Sequence, residues 1–163
     1  MNPTAAEQQQ NFWQGRRILI TGLTGFIGCW LAERLLEKGA VVFGYDLDTH
    51  HALDLHPGLR ERITNIIGDI LDTENMSSAF KANDINTCFH LAGQSMIETG
   101  LSSPAKTFEV NVRGTWSVLE AAKSGGVERI VVSSSNTVYG PQAKYPFEED
   151  AALNGEHPYA ASK

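Results

Sequence analysis

The end of the sequence carries two residues whose types and spacing could support proton transfer. Tyr159 and Lys163 lie four positions apart, so a helix beginning near Pro158 would place both side chains on one face. A tyrosine that acts as a base near neutral pH needs its pKa lowered by roughly three units, or about 4 kcal/mol. A cation about 6 Å away supplies roughly 3 kcal/mol of this at an effective dielectric constant near 20. The pair therefore predicts a general base with an electrostatic partner, although an ordinary helix face has the same spacing.

A glycine at every third position marks a second group of residues, GLTGFIG at 22–28. The first glycine permits a tight turn, the second lets the main chain approach a pyrophosphate, and the third allows close helix packing. Amides at the start of the following helix, together with its dipole, hold an anion without any lysine. A plain tight turn is the alternative, but the motif follows a buried strand and opens an amphipathic helix. We therefore predict a dinucleotide site with contacts from Gly22, Gly25, Phe26, Ile27 and Gly28.

A carboxylate closes the second predicted strand, about 20 residues further on. Asp46 could accept hydrogen bonds from both hydroxyls of an adenosine ribose. A 2′-phosphate would meet this fixed negative charge, and the next residues, Leu47 and Asp48, offer no arginine. The sequence thus favours NAD over NADP. Asp48 is the alternate candidate if the strand ends later, and a solvated strand-end aspartate is the other interpretation.

Alternating strands and helices are predicted to hold these residues in place. Apolar runs indicate strands at 17–21, 41–45, 63–67, 87–92 and 129–133. Helical spacing and end signals indicate helices from the glycine loop to Gly39, over 72–82, and from about Pro104 to Lys123. This order predicts a doubly wound parallel sheet, a Rossmann-like α/β fold, with residues 1–14 as a flexible tail and residues 15–163 as one domain.

Core and loop residues follow from the same pattern. The first helix is expected to bury Ile27, Leu31 and Leu35. Residues 139–158 are rich in glycine, proline and charge, which predicts a surface loop. The long helix is expected to bury Phe108, Val112, Val118, Leu119 and Ala122.

Composition excludes several classes of protein. The net charge of −6 gives no basic surface for a nucleic acid, and no apolar run approaches the roughly 20 residues of a membrane span. We expect a cytoplasmic protein that binds neither nucleic acid nor membrane. Cys29 and Cys88 lie in predicted regular elements and are expected to be buried. We predict no metal site, because His50, His51 and His56 lack acidic or thiolate partners at ligand spacing and are expected to be loop residues.

Six ordered motifs together resemble the extended short-chain dehydrogenases, in particular the NAD-dependent nucleotide-sugar epimerases and dehydratases. The resemblance covers nearly the whole chain. Its motifs are TGLTGFIG at 21–28, GDI at 68–70, HLAG at 90–93, NVRGT at 111–115, SSSNTVYG at 133–140 and PYAASK at 158–163.

The resemblance implies a role for each motif residue. Tyr159 would be the catalytic base, and Lys163 would bind the nicotinamide ribose and lower the pKa of that tyrosine. Ser135 would hydrogen-bond the reacting sugar hydroxyl, with Ser134 as the alternative. Cofactor contacts are implied for Asp69 and Ile70 beside the adenine, for Leu91, Ala92, Gly93 and Ser133 along the cofactor, and for Asn111, which would brace the site.

The implied reaction begins with transient oxidation of a nucleotide sugar to a keto sugar. Similar dehydratases usually follow the serine with an aspartate and then a glutamate or lysine, whereas this chain has Asn136 and Thr137. That difference favours an epimerase that acts at C4. Dehydration stays the alternative because residues 90–115 also resemble dehydratases. Some epimerases carry a lysine where this chain has Ser95, so the subgroup is open.

Members of this family continue well beyond the lysine, with further strands, a dimer-forming helix and a smaller domain that holds the nucleotide sugar. We therefore expect this sequence to be the N-terminal part of a longer, homodimeric enzyme, and to bind NAD weakly without turnover by itself. A dinucleotide-binding module without catalysis is the competing hypothesis. The joint presence of Ser135, Tyr159 and Lys163 argues against it.

Overall fold

Five parallel strands form the centre of the molecule. A computed structural model describes residues 12–47, 56–141 and 145–163. The strand order is β3-β2-β1-β4-β5, so the first strand lies in the middle and the chain crosses over on either side of it. This arrangement confirms the predicted parallel sheet. The strands are β1 (Arg17–Thr21), β2 (Val41–Asp46), β3 (Thr64–Ile67), β4 (Thr87–His90) and β5 (Arg129–Val132).

Helices connect the strands and cover both faces of the sheet. A π-helical turn at Glu109–Arg113 separates the fourth helix from the fifth, and 3-10 turns occur at Arg60–Arg62 and Asn136–Tyr139. The helices are α1 (Phe26–Glu37), α2 (Thr73–Ala82), α3 (Ile97–Ser102), α4 (Pro104–Phe108), α5 (Gly114–Gly125) and α6 (Pro158–Ser162).

Strand β1 separates two apolar cores because successive side chains point to opposite faces of a sheet. Ile18 and Ile20 pack with Cys29 and other residues of α1 on one face. Leu19 packs on the other face with residues of α2 and α5. A strand buried on both faces needs a continuous apolar run, which is the pattern of RILI. The Rossmann-like fold class is thereby confirmed.

The helix predicted over 104–123 differs from the structure in two respects. It is interrupted by the π turn, and its core-facing residues are not those expected. Phe108, Val112 and Leu119 were expected to be buried but are exposed by 41%, 46% and 41%. The extra residue of a π turn changes the rotation between the helix before it and the helix after it. Residues from both segments therefore cannot share one face, which a uniform helical period does not anticipate. Val118 and Ala122 are buried as predicted.

The core face of helix α1 agrees with the prediction in part. Leu35 is buried as expected, and Leu31 is partly buried against the same core. The other buried residues of the helix are Gly28, Cys29 and Ala32. Ile27 was expected in the core but is 63% exposed. The close packing of the helix start against the glycine loop turns this residue outward.

Several smaller features lie outside the sequence predictions. Helix α3 was not predicted, and β4 ends at His90 because the amide of Ala92 donates to the Thr21 hydroxyl instead of extending the ladder. His56 lies outside the helices and strands, as expected for a loop residue, and it is buried with Nδ1 3.1 Å from the Glu33 carboxylate. His50 and His51 lie outside the described residues.

Burial of the two cysteines agrees with the prediction. Cys29 and Cys88 are both buried and unpaired. Burial raises the pKa of the Cys88 thiol to about 12. Within the described ranges, no helix is both long and apolar enough to cross a membrane.

Candidate active site

The glycine loop joins β1 to α1 at the carboxyl edge of the sheet. Gly22 has a left-handed φ of +71°, and a Cβ there would lie 2.8 Å from the Ala92 nitrogen. A Cβ on Gly28 would lie 2.4 Å from the Gly22 carbonyl oxygen and 2.5 Å from the Leu23 carbonyl oxygen. Real side chains do not approach main-chain oxygens this closely. Gly22 and Gly28 therefore have the turn and packing geometry that the sequence predicted for them.

The start of α1 is suited to hold an anion. Gly25 is its N-cap residue and provides no side-chain hydrogen bond to the first turn. The amides of that turn therefore lack the usual side-chain cap, and they coincide with the positive end of the helix dipole. Phe26 and Ile27 are exposed beside these amides. The geometry fits a diphosphate held by the main chain, so the residues present suit a dinucleotide.

Asp46 lies at the end of β2, next to this loop. Its Oδ2 accepts hydrogen bonds from the amide and the hydroxyl of Thr24, both at 2.9 Å. These bonds fix the carboxylate at the edge of the glycine loop, where the adenosine half of a dinucleotide would lie. Thr24 was not singled out from the sequence, although it lies inside the glycine motif. Asp48 lies outside the described residues.

Asp69 and Ile70, the two residues expected near the adenine, differ in their exposure to solvent. Asp69 is exposed, and its Oδ1 accepts a hydrogen bond from the Leu71 amide at 2.9 Å. Ile70 is only 7% exposed and packs against Gly114 at the start of α5. A contact between Ile70 and a cofactor would thus use little of its side chain.

Leu91, Ala92 and Gly93 follow β4 and continue the same edge of the sheet. Leu91 and Ala92 are partly exposed, and Gly93 is exposed. A Cβ on Gly93 would lie 3.0 Å from Oδ1 of Asn111 and 3.8 Å from Nζ of Lys163. The loop therefore lies directly beside two residues that the sequence assigned to the same site.

Asn111 connects this loop to the last helix. Its Oδ1 accepts from the Gln94 amide at 2.8 Å, and its Nδ2 donates to the Gln94 carbonyl at 3.0 Å and to Oγ of Ser162 at 2.8 Å. Ser162 in turn donates to the Tyr159 carbonyl at 2.8 Å. Asn111 is 4% exposed and lies within the π turn. Turns of this kind are frequent at functional sites.

Helix α6 carries the predicted proton-transfer pair. It begins at Pro158, as the sequence predicted, and His157 caps it by accepting a hydrogen bond from the Ala160 amide. A Cβ on Gly100 would lie 3.1 Å from the Cβ of Tyr159, so the small residue lets α3 and α6 pack closely. Lys163 ends the helix and is half-buried. Burial lowers the pKa of its ammonium group.

The serines after β5 lie near the same helix. Ser134 donates to the Lys163 carbonyl at 3.1 Å. Oγ of Ser135 accepts from the Thr137 amide at 3.2 Å and from the Thr137 hydroxyl at 2.9 Å. A pocket of about 270 Å³ includes Asn111, Ser133 and Lys163 in its wall. The structure thus brings together the π turn that carries Asn111, the serines after β5, and helix α6 with Lys163 at its end.

Two residues of this cluster were missed from the sequence. Gln94 binds the Asn111 side chain through its main-chain amide and carbonyl, and Ser162 binds it through its hydroxyl. Neither residue belongs to a spacing pattern that indicates chemistry. Ser162 lies between Tyr159 and Lys163, and its contact with Asn111 spans 51 positions of the chain. Among the residues that the structure describes, no group of three or more acidic, histidine or cysteine residues could hold a metal ion.

A doubly wound sheet with a glycine loop at its central crossover defines the class of dinucleotide-binding α/β domains. Residues 19–163 match the protein family described as GDP-mannose 4,6 dehydratase, and the chain belongs to this family. The predicted relationship with the extended short-chain dehydrogenases that act as nucleotide-sugar epimerases and dehydratases is confirmed.

Individual relatives show the same mixture of activities. A CDP-glucose 4,6-dehydratase of Salmonella typhimurium is 34% identical over 94% of this chain and 44% of its own length. A UDP-glucose 4-epimerase of Mycolicibacterium smegmatis is 38% identical over 90% of this chain and 48% of its own length. A similar crystal structure is that of a UDP-glucose-4-epimerase from Stenotrophomonas maltophila with bound NAD and formylated UDP-arabinopyranose. Its TM-score is 0.85 at 26% sequence identity, and the match covers 91% of this chain and 45% of the epimerase. The chain thus spans about half the length of these relatives.

Proposed function

We propose that this chain forms the NAD-binding part of an enzyme that epimerises a nucleotide sugar, with C4 as the reacting carbon. The observation that carries the proposal is the bridge made by Asn111. It ties the helix of Tyr159 and Lys163 to the loop after β4, at the sheet edge that also carries the glycine loop. A dinucleotide on that loop would extend towards the tyrosine and the lysine.

NAD binding rests on the glycine loop and on Asp46. The first turn of α1 has no side-chain cap, and Thr24 holds the carboxylate beside it. A 2′-phosphate would meet the charge of Asp46, which supports NAD over NADP. The relative from Stenotrophomonas maltophila was crystallised with NAD.

Tyr159 would act as the general base that removes the proton from the sugar hydroxyl. Bound NAD supplies the acceptor that takes hydrogen with its electron pair from the same carbon and later returns it. Lys163 would stabilise the phenolate through its positive charge. Because burial lowers the pKa of Lys163, a neighbouring anion would stabilise the lysine's charge in return.

Ser135 would donate a hydrogen bond to the reacting oxygen. Its Oγ accepts two hydrogen bonds from Thr137, which occupy both lone pairs of the hydroxyl. The remaining proton is therefore oriented as a donor. A donor at this position would stabilise negative charge on the sugar oxygen as the proton leaves.

The residues after Ser135 support epimerisation over dehydration. Elimination of water needs an acid and a base beside the substrate, and this chain has Asn136 and Thr137 where similar dehydratases carry charged groups. The second candidate is a 4,6-dehydratase, which the relationship with the Salmonella typhimurium enzyme supports. A homodimer of the intact protein stays a prediction.

Product analysis with the intact protein tests the proposal. NAD-loaded protein is incubated with UDP-glucose and, separately, with CDP-glucose, and products are analysed by mass spectrometry and chromatography. Epimerisation leaves the mass unchanged and alters retention, whereas dehydration lowers the mass by one water. We expect an epimer.

Two variants separate catalysis from binding. Tyr159→Phe should lower kcat about a thousandfold while NAD affinity is kept, because only the proton acceptor is removed. Tyr145→Phe is the matched control, since that tyrosine is 71% exposed on the surface. Equal turnover by the Tyr159→Phe variant and the wild type would show that Tyr159 is not the base, whereas NAD binding without turnover by either protein would support the non-catalytic binding module.

A further inference from the structure

His90 is a buried titratable residue for which the proposed reaction has no direct use. It ends β4 and is 2% exposed. Its Nδ1 lies 2.7 Å from the Thr21 hydroxyl, and its Nε2 lies 3.0 Å from the Thr115 hydroxyl. Both ring nitrogens are therefore hydrogen-bonded to side chains from distant parts of the chain.

The direction of these hydrogen bonds follows from the Thr115 hydroxyl. Its oxygen lies 2.6 Å from the carbonyl oxygen of Asn111, a separation that requires a proton between the two atoms. The carbonyl cannot donate, so Thr115 uses its only proton there. The hydroxyl must then accept from His90, which places a proton on Nε2.

The other ring nitrogen is an acceptor. The Thr21 hydroxyl accepts from the Ala92 amide at 3.2 Å and is left to donate to Nδ1 of His90. Burial, with the Lys163 ammonium nearby, lowers the pKa of His90 to about 4, so the ring is neutral at physiological pH. The tautomer with its proton on Nε2 and an unprotonated Nδ1 satisfies all of these contacts.

The chain of bonds runs from the phosphate-binding side of the molecule to the proton-transfer side. Thr21 directly precedes the glycine loop, and Thr115 bonds the carbonyl of Asn111 in the π turn. The Asn111 side chain then reaches Ser162 in α6. His90 thus connects two parts of the site that no local sequence motif joins.

We propose that His90 is a positioning residue for the helix that carries Tyr159 and Lys163. It acts through the Thr115 hydroxyl on the π turn, and through Asn111 on α6. It touches neither substrate nor cofactor in this role. The expected effect on catalysis rests on the proposed function. The hydrogen-bonded connection from His90 to α6 does not depend on it.

Two substitutions of Thr115 test the coupling in the intact protein. Thr115→Val keeps the shape of the side chain and removes the hydroxyl, whereas Thr115→Ser keeps the hydroxyl. The matched control is Thr87→Val, because Thr87 is a 2% exposed threonine at the opposite end of β4. Backbone amide resonances of Ala160 to Lys163 report the position of α6 without any need for a substrate.

Thr115→Val should shift these amide resonances, and Thr115→Ser should restore them to wild-type positions. With NAD and UDP-glucose, kcat should fall by about tenfold to a hundredfold in Thr115→Val while KM for the sugar changes little, because the base is displaced. Thr87→Val should leave both readouts unchanged. Unmoved α6 amides in Thr115→Val, or a failure of Thr115→Ser to restore them, would overturn the proposal.

Two substitutions of His90 separate the halves of the connection. The amide nitrogen of glutamine reaches the position of Nε2, so His90→Gln keeps a donor to Thr115. Asparagine reaches only the position of Nδ1, so His90→Asn keeps the contact with Thr21. Both variants lose the ring, and the inference requires His90→Gln to retain at least several times the kcat of His90→Asn. Equal loss in the two variants would contradict it.

The proposed function and this inference fail in different ways. Absence of turnover by the wild type, with either UDP-glucose or CDP-glucose, would count against the proposed function. The amide shifts of α6 would then decide the coupling alone. Histidine ¹⁵N spectra provide an independent check, in which His90 should show a protonated Nε2 and an unprotonated Nδ1 at pH 7. The opposite tautomer would overturn the inference.

Discussion

The glycine loop at residues 22–28 and the cluster around Asn111 are built by opposite means. The loop depends on side chains that are absent, because a Cβ on Gly28 would collide with the main chain. The cluster depends on side chains that are present and come from distant segments, as in the bond between Asn111 and Ser162. We therefore expect substitutions in the glycine loop to act by steric crowding and substitutions in the Asn111 cluster to act by loss of hydrogen bonds.

The largest effect is expected for Gly28→Ala. The added methyl group would lie within 2.6 Å of three main-chain atoms, so the loop or helix must move. We expect a loss of about 3 kcal/mol or more in the free energy of unfolding, measured by urea denaturation. Gly25→Ala is the control, because its Cβ would lie 3.2 Å from one oxygen and its φ of −81° is ordinary. Equal destabilisation by both would remove the steric explanation of the loop.

Asn111→Ala tests the other half of the comparison. It leaves the main-chain groups of Gln94 without their side-chain partner in a buried place and frees Ser162 from its contact. We expect a loss of about 2 kcal/mol in unfolding free energy. Asn83→Ala, which removes a single hydrogen bond at the end of α2, should cost about half as much. A smaller loss at Asn111 than at Asn83 would show that the cluster does not hold α6.

The pH dependence of stability follows from His90, a buried side chain that is hydrogen-bonded to the cluster through Thr115. The pKa of His90 falls from 6.5 in the unfolded chain to about 4 in the folded protein. As the pH falls, the unfolded chain therefore binds a proton at this histidine before the folded protein does. The contribution of neutral His90 to the free energy of unfolding is fully present above pH 6.5 and is lost as the pH falls towards 4. Between pH 7 and pH 4.5 the loss from this group should be roughly 2 kcal/mol.

His90→Gln should lack this part of the pH dependence. The difference in unfolding free energy between wild type and variant should narrow by the stated amount between pH 7 and pH 4.5, in urea titrations at each pH. A constant difference over that range would mean that His90 has the same pKa in the folded and unfolded states, so that burial does not hold the ring neutral.

The smallest effect is expected for Thr24→Val, at the edge of the glycine loop. The substitution removes the hydrogen bond from the Thr24 hydroxyl to Asp46 and keeps the one from the Thr24 main chain. NAD binding should weaken by about 1 kcal/mol, or roughly fivefold, in calorimetric titrations of the intact protein. Thr64→Val, on the exposed edge of β3, should have no effect. An unchanged NAD affinity for Thr24→Val would mean that the carboxylate position set by Thr24 is not needed for ribose binding by Asp46.

The loop region could be predicted from the sequence because its determinants are local. The buried strand, the glycine spacing and the start of α1 all lie between Arg17 and Glu37. The position of Asp46 at the end of the next strand was predicted for the same reason. The neighbour of its carboxylate, Thr24, was missed because no spacing rule connects a loop hydroxyl to a strand end 22 positions away.

The Asn111 region could be predicted only in part. Motif resemblance indicated Asn111, Tyr159 and Lys163, whereas Gln94 and Ser162 emerged from the three-dimensional structure. The π turn was also invisible to a uniform helical period, so Phe108, Val112 and Leu119 were wrongly placed in the core. Contacts that span tens of residues leave no periodic signal in the chain.

A crystal structure of the intact protein with NAD would show how the dinucleotide lies on the glycine loop. We expect diphosphate oxygens on the amides of the first turn of α1, the adenosine ribose on Asp46, and the nicotinamide within reach of Tyr159 and Lys163. A dinucleotide bound elsewhere, or a crevice closed by the side chains of Phe26 and Ile27, would contradict this expectation.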